Sequence, residues 1–183
     1  MKKHQILKLP KVNYCMNFKS EFENNYLRLF QAQNSDFEKL YLVAKDPGVW
    51  EQHPESDRWK RSKFSLFFKN GLANEFGLLI VFDKRINKFI GSTRFYGYDK
   101  NNSSIRVGFT FISQDYWGTL ANFHIKKMML DYAFNFVNNV FFDIGVNNIR
   151  SRKAVEKIGA RLFVDKSTGN VVYNIVKENF NEV

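Results

Sequence analysis

The 183-residue chain is 44% hydrophobic and 17% aromatic, with 20 Phe, a composition that excludes disorder and suits one domain with a buried core. Lys and Arg total 28 against 18 Asp and Glu, a net charge of +10; this favours anionic partners, but the charge is scattered, which argues against nucleic acid. No apolar run reaches the roughly 20 residues of a membrane span, the opening "MKKHQILKLPKVNYCMNF" makes a poor signal peptide, and the lone Cys15 excludes an intrachain disulfide, so the expected location is a reducing cytoplasm with no membrane partner.

Residues 1–25 follow no regular period and read as an N-terminal arm; residues 26–183 read as one domain. "YLRLFQA" (26–32) alternates and predicts a strand. Asn34, Ser35 and Asp36 offer a cap for a short helix to about Lys45. Pro47, Gly48 and Pro54 make 46–54 a loop. A second helix is expected from about Ser56 to Asn74, with Trp59, Phe64, Phe67 and Phe68 on its apolar side. Strands follow at 76–83 and 88–99 around a turn at 84–87. "SIRVGFTFIS" (104–113) has a period of two. Ile105, Val107, Phe109 and Phe111 share one face; Arg106, Gly108, Thr110 and Ile112 share the other.

Further on, Ile125, Met128, Met129, Tyr132, Ala133, Phe136 and Val137 recur at helical spacing and predict one buried stripe. "VFFDIGV" (140–146) reads as a strand. A short helix then begins at Asn148, a plausible cap, and stops at Gly159. "RLFV" and "VVYNIVK" close the chain as two strands around a turn at 167–170. The order is a strand, two helices, three strands, a helix, a strand, a helix and two strands. It describes one mixed α/β layer structure.

Familiar catalytic signatures are absent. There is no P-loop, no G-x-G-x-x-G after a strand, no G-x-S-x-G elbow and no Cys/His spacing suited to zinc, so no metal is expected. What remains is "YWGTLANFHIKKMMLDYAF" (116–134), which joins a strand to a helix through a turn of small or polar residues. A helix start carries unpaired N–H groups and about half a positive charge, so this turn is a candidate anion site. Lys126 and Lys127 oppose the helix dipole, and a bound anion would reverse that sign. On physics alone, a capped core helix with solvated lysines fits equally well.

Together with "VNNIRSRKAVEKIGARLF", this stretch resembles the acyl-coenzyme A binding half of the GNAT acetyltransferase superfamily. "WEQHP", "IGSTRFY" and "VGFTF" fall where the branch that includes the ribosomal-protein N-terminal acetyltransferases has similar strings. The likeness runs from about Tyr26 to Lys177. It implies a single-domain α/β (α+β) fold of GNAT type: a central mixed, mostly antiparallel sheet, helices on both faces and a splayed strand pair. It also implies acetyl-CoA as cosubstrate, with direct transfer to an amine acceptor, a small molecule or a peptide, by a monomer or homodimer.

The same resemblance assigns positions. The pantetheine arm would pair with exposed backbone at Phe109, Thr110, Phe111 and Ile112. An N–H there would face the thioester oxygen, and one such donor is worth roughly 2.7–4 kcal/mol in other systems. The diphosphate would rest on the N–H groups of Trp117, Gly118, Thr119, Leu120, Ala121 and Asn122, with Lys126 close by. Asn148 and Ser151 match positions near the pantetheine arm or the departing sulfur.

This chain departs from the family pattern at three places. Leu120 stands where the turn usually has glycine. Arg106 stands where relatives often have a carboxylate, and arginine cannot act as a base. His124 replaces a common acidic residue and, in the first helical turn, is expected to be neutral. His53, between Glu51 and Glu55, is the leading candidate for a base; a loop histidine bonded to backbone beside Pro54 is the alternative. Tyr116 and Ser151 are candidate proton donors to the thiolate. Trp50 and Trp117 are expected to pack. A second function stays open, prompted by Arg106 and Leu120: a CoA-binding or regulatory module whose transfer chemistry is weak or lost.

Overall fold

The computed structural model describes residues 21–166 and 169–180. The expected arm as far as residue 20, with His4 and Cys15, and residues 167–168 of the last turn lie outside the described residues. The strands are β1 (Phe22–Glu23), β2 (Leu27–Gln31), β3 (Leu79–Asp83), β4 (Lys88–Asp99), β5 (Ser104–Ile112), β6 (Asn139–Gly145), β7 (Arg161–Lys166) and β8 (Asn170–Val176). The helices are α1 (Phe37–Ala44), α2 (Arg61–Leu72), α3 (Ala121–Ala133), α4 (Ile149–Glu156) and α5 (Lys177–Phe180). The strands form one sheet in the order β1-β2-β3-β4-β5-β6-β8-β7. Every pairing is antiparallel except β5 with β6.

The sheet is covered on both faces. Ile125, Met129 and Ala133 of α3 and Val155 of α4 pack with Leu29, Val81, Ile105 and Val107. On the other face Leu40 of α1 and Phe64, Phe67 and Phe68 of α2 pack with Leu78, Ile80, Phe111 and Trp50. Trp50 is locked there by its indole N–H, which donates to the Ala44 carbonyl at 2.7 Å. Among the described residues, no helix is long and apolar enough to cross a membrane.

Several boundaries differ from expectation for local reasons. Helix α2 starts at Arg61 rather than Ser56, because Pro54 leads into a turn in which Arg58 N–H donates to Glu55 O and the two side chains pair at 2.7 Å. Strand β3 begins at Leu79 because Gly77 takes φ +73° just before it. Helix α3 stops at Ala133, four residues early, where the Asn135 amide donates to the Asp131 and Tyr132 carbonyls in place of a further turn. Strand β1 and helix α5, two and four residues long, carry too little periodicity to be read.

The largest correction concerns β5. Its period of two breaks at Phe109, which takes φ +53°. Ser92 of β4 pairs with Phe111, yet Arg94 pairs with Gly108, so β5 holds one extra residue there, a β-bulge. The bulge inverts the phase of the strand. Ile105, Val107 and Ile112 face the α3 core, while Phe111 faces the α2 core and Phe109 is 37% exposed. A left-handed phenylalanine is strained. Its ring is held by the Arg94 guanidinium, 3.4 Å from the centroid, and by the edge of Tyr96.

Gly91 of β4 lies against the far side of the bulge, where an added Cβ would run into the Phe111 carbonyl oxygen and the Ile112 Cα. Backbone on that side cannot yield without moving the sheet. Gly91→Ala is expected to cost about 1–3 kcal/mol in urea unfolding. An unchanged midpoint would show that the bulge adapts freely.

Candidate active site

Beyond the bulge, β5 and β6 part. Their parallel pairing runs only through Ser104–Asn139, Ile105–Val140 and Arg106–Phe141. Strand β6 stays paired with β8 as far as Gly145. The β5 edge from Val107 onward therefore faces a gap. Two clefts open into it, of about 400 Å³ and about 260 Å³. His53, Thr110, Lys126, Asn148 and Ser151 line both and mark where they meet.

The first cleft is built on the turn before α3. Gly118 takes φ +74°, a conformation glycine adopts without strain. Within the turn, Trp117 N–H donates to Gln114 O, Thr119 N–H to Tyr116 O and Ala121 N–H to the Thr119 hydroxyl. The N–H groups of Gly118, Leu120, Asn122 and Phe123 donate to no group among the described residues. Four free donors at the head of a 13-residue helix suit an anion. Leu120 is 67% exposed, so its side chain is not packed into the core.

Of the residues expected to hold the donor, all but Phe109 and Ala121 line this cleft. Phe109 faces the second cleft, and Ala121 is buried beneath the turn. Helix α4 forms the opposite wall. The Asn148 carbonyl oxygen of the side chain accepts from Ser151 N–H at 3.1 Å, as an N-cap should. The Arg150 guanidinium stacks 3.5 Å from the Trp117 ring centroid, which ties the α4 wall to the α3 turn. Lys153 and Lys157 line the cleft as well. These three cations were not singled out from the sequence, although their i, i+3, i+7 spacing on a helix was the signal for one basic face.

Two candidates for proton transfer are placed differently from expectation. The Tyr116 hydroxyl donates to Asp83 Oδ2 at 2.8 Å, away from the junction. Burial and that carboxylate push its pKa up to about 12. His53 does reach the junction, but its Nδ1 accepts from Glu55 N–H at 2.9 Å and its Nε2 lies 3.2 Å from Arg58 Nη1. Burial, reinforced by Arg58, lowers its pKa to about 4. A neutral imidazole with its lone pair already engaged has little capacity to take a proton. Ser151 lines the junction, and its hydroxyl bonds to nothing among the described residues. His124 does not line the cleft; its ring lies near Tyr26 in a separate groove.

The second cleft holds the carboxylate that β5 lacks. Asp143 of β6 sits just past the parting point. Its Oδ2 accepts from Arg106 Nη1 at 2.6 Å and from the Tyr96 hydroxyl at 2.9 Å. Burial and Asp143 push the Tyr96 pKa up, so Tyr96 stays a donor. Arg106 thus braces a carboxylate on the neighbouring strand. Arg58 is buried and paired with Glu55. Arg94 is buried under Phe109, with its Nε and Nη1 lacking hydrogen bonds.

The chain belongs to the acetyltransferase (GNAT) domain family, whose model matches residues 26–161. No curated protein matches it. Among solved structures it is similar to a GCN5-related N-acetyltransferase from Brucella melitensis, with TM-score 0.76 and 17% identity over 89% of this chain and 81% of that one. A probable GNAT-family acetyltransferase from Chromobacterium violaceum gives TM-score 0.76 and 14% identity over 98% and 100%. The microcin C7 self-immunity acetyltransferase MccE, in complex with acetyl-CoA and AMP, gives TM-score 0.67 and 16% identity over 84% and 93%. At these identities the likeness establishes the fold.

Proposed function

We propose that the chain transfers the acetyl group of acetyl-CoA directly to an amine on a small molecule or peptide, with the coenzyme in the first cleft and the amine in the second. The observation that carries this reading is the junction: the two clefts meet where β5 and β6 part. Family membership supports the donor, as does the acetyl-CoA complex of MccE. The "WEQHP", "IGSTRFY" and "VGFTF" strings favour kinship with the ribosomal-protein N-terminal acetyltransferases.

Each wall has a part in this reading. The free N–H groups of Gly118, Leu120, Asn122 and Phe123 receive the diphosphate, with Lys153 and Lys157 as nearby cations. The unpaired edge of β5 presents backbone donors and acceptors to the pantetheine amides. The thioester supplies the activated acyl group. In the second cleft Asp143 hydrogen-bonds the incoming ammonium and takes up its proton, braced by Tyr96 and Arg106. As the C–N bond forms and the C–S bond breaks, the Ser151 hydroxyl hydrogen-bonds the departing sulfur, and the second proton shed by the nitrogen ends on that sulfur as free CoA thiol. Holding amine and thioester together supplies much of the acceleration.

Calorimetric titration with acetyl-CoA tests the donor; no binding at millimolar coenzyme would sink it. Thiol release over a panel of amines and peptides tests transfer. Coenzyme binding with no release from any acceptor would favour the regulatory alternative. Reversing the two lysines of the α4 wall, Lys153→Glu with Lys157→Glu, is expected to weaken coenzyme affinity about tenfold or more and to flatten its dependence on salt. Parent-like affinity would place the diphosphate elsewhere.

A further inference from the structure

Lys126 is 6% exposed. Its Nζ donates to Asn122 Oδ1 at 2.7 Å. An ammonium has three donors, and Lys126 lines both clefts where they meet. It forms no ion pair among the described residues. The charged groups of the first cleft are Arg150, Lys153 and Lys157, all cations. In the second, Glu55 is taken by Arg58 and Asp143 by Arg106. Burial lowers the Lys126 pKa to about 8, which leaves it mostly charged at neutral pH. Its neighbours Ile125 and Met129 pack in the core of the same helix. A charge buried without a partner is unfavourable, so a ligand that completes its shell gains what the protein does not supply.

We propose that Lys126 receives a carboxylate carried on the acyl group, so that the CoA thioester of a short dicarboxylic acid, such as malonyl- or succinyl-CoA, is taken as a donor more tightly than acetyl-CoA. The inference rests on the coenzyme reading above: it keeps the CoA cleft and the amine acceptor and widens the acyl group beyond acetyl. Lys126 rises from α3, whose first turn forms the donor cleft, and it meets the gap at the point where the acyl group emerges. The acceptor-side cations Arg58 and Arg106 already hold carboxylates, so an anionic acyl tail finds its free partner in Lys126. The bond changes are those of any thioester aminolysis: C–S breaks, C–N forms, the proton shed by the nitrogen ends on the departing sulfur as free CoA thiol, and the distal carboxylate stays on the product.

The test is calorimetric binding of CoA, acetyl-CoA, malonyl-CoA and succinyl-CoA to the full chain, for parent and Lys126→Met. One of the carboxylated thioesters is expected to bind the parent at least about tenfold more tightly than acetyl-CoA. In Lys126→Met that preference should vanish. Equal or weaker binding of both carboxylated thioesters, with CoA still bound, would overturn this inference and leave the coenzyme site standing. No binding of any of the four would remove both. Intact-mass analysis after incubation with acetyl-CoA adds a check: an acetyl adduct on Lys126 would make it an acceptor rather than a counter-charge, and would also overturn the inference.

Discussion

Asp143→Asn is expected to lower kcat/KM about 10²-fold or more while coenzyme affinity stays at the parent value. The split follows from placement. Asp143 lines the second cleft and not the first, so its loss is felt by the amine. Asparagine keeps the shape and can still accept from Tyr96 and Arg106, but it takes up no proton. The side chains of Arg106 and Asp143 are 32% and 31% exposed, so water can solvate the arginine left behind and the fold should survive. Two outcomes would remove Asp143 from the mechanism: turnover within threefold of the parent, or a loss of coenzyme affinity that matches the loss in rate. His53→Gln gives the contrast. A histidine whose Nδ1 already accepts from Glu55 N–H and whose Nε2 lies beside Arg58 is a positioning group, so the variant should lose less than Asp143→Asn and keep the parent pH profile.

The sequence carried those parts of the fold that have a local cause. The helical stripe of α3, the Asn148 cap and the alternation at the start of β5 were all legible because each depends on neighbours a few residues away. The bulge at Phe109 was not. Only the pairing of Ser92 with Phe111 and of Arg94 with Gly108 reveals the extra residue, and that information lies in another strand. The same holds at the site. "YWGTLAN" could be read as an anion-binding turn, but which of its N–H groups are free depends on how Gln114, Tyr116 and Thr119 fold back on it. Arg106 looked like a missing base, since one strand seen alone cannot show that Asp143 of the next strand stands beside it. Lys126 and Lys127 look alike in sequence. Residue 127 faces solvent and pairs with Asp131 at 3.1 Å, whereas residue 126 turns inward, a difference of one helical step.

That inward turn has a consequence for stability. Lys126→Met is expected to raise the melting temperature near pH 7 rather than lower it. Burial takes the Lys126 pKa from 10.5 to about 8, so below about pH 8 the folded chain carries a charge that the unfolded chain holds more comfortably in water. The drop corresponds to an upper bound of about 3 kcal/mol, or very roughly 5–10 °C in a domain of this size. The sign with pH follows. Between about 8 and 10.5 the unfolded chain binds more protons at this position, so the parent gains stability as pH rises through that window. The methionine variant has nothing to relieve there, and its advantage should shrink toward pH 10.5. A melting temperature unchanged or lowered at pH 7, or a gap that does not narrow on raising pH, would show that Lys126 is already compensated within the chain. A fold that is less stable with its lysine than with methionine in its place is what a ligand-binding charge should produce. Saturating succinyl-CoA should then raise the melting temperature of the parent more than that of the variant.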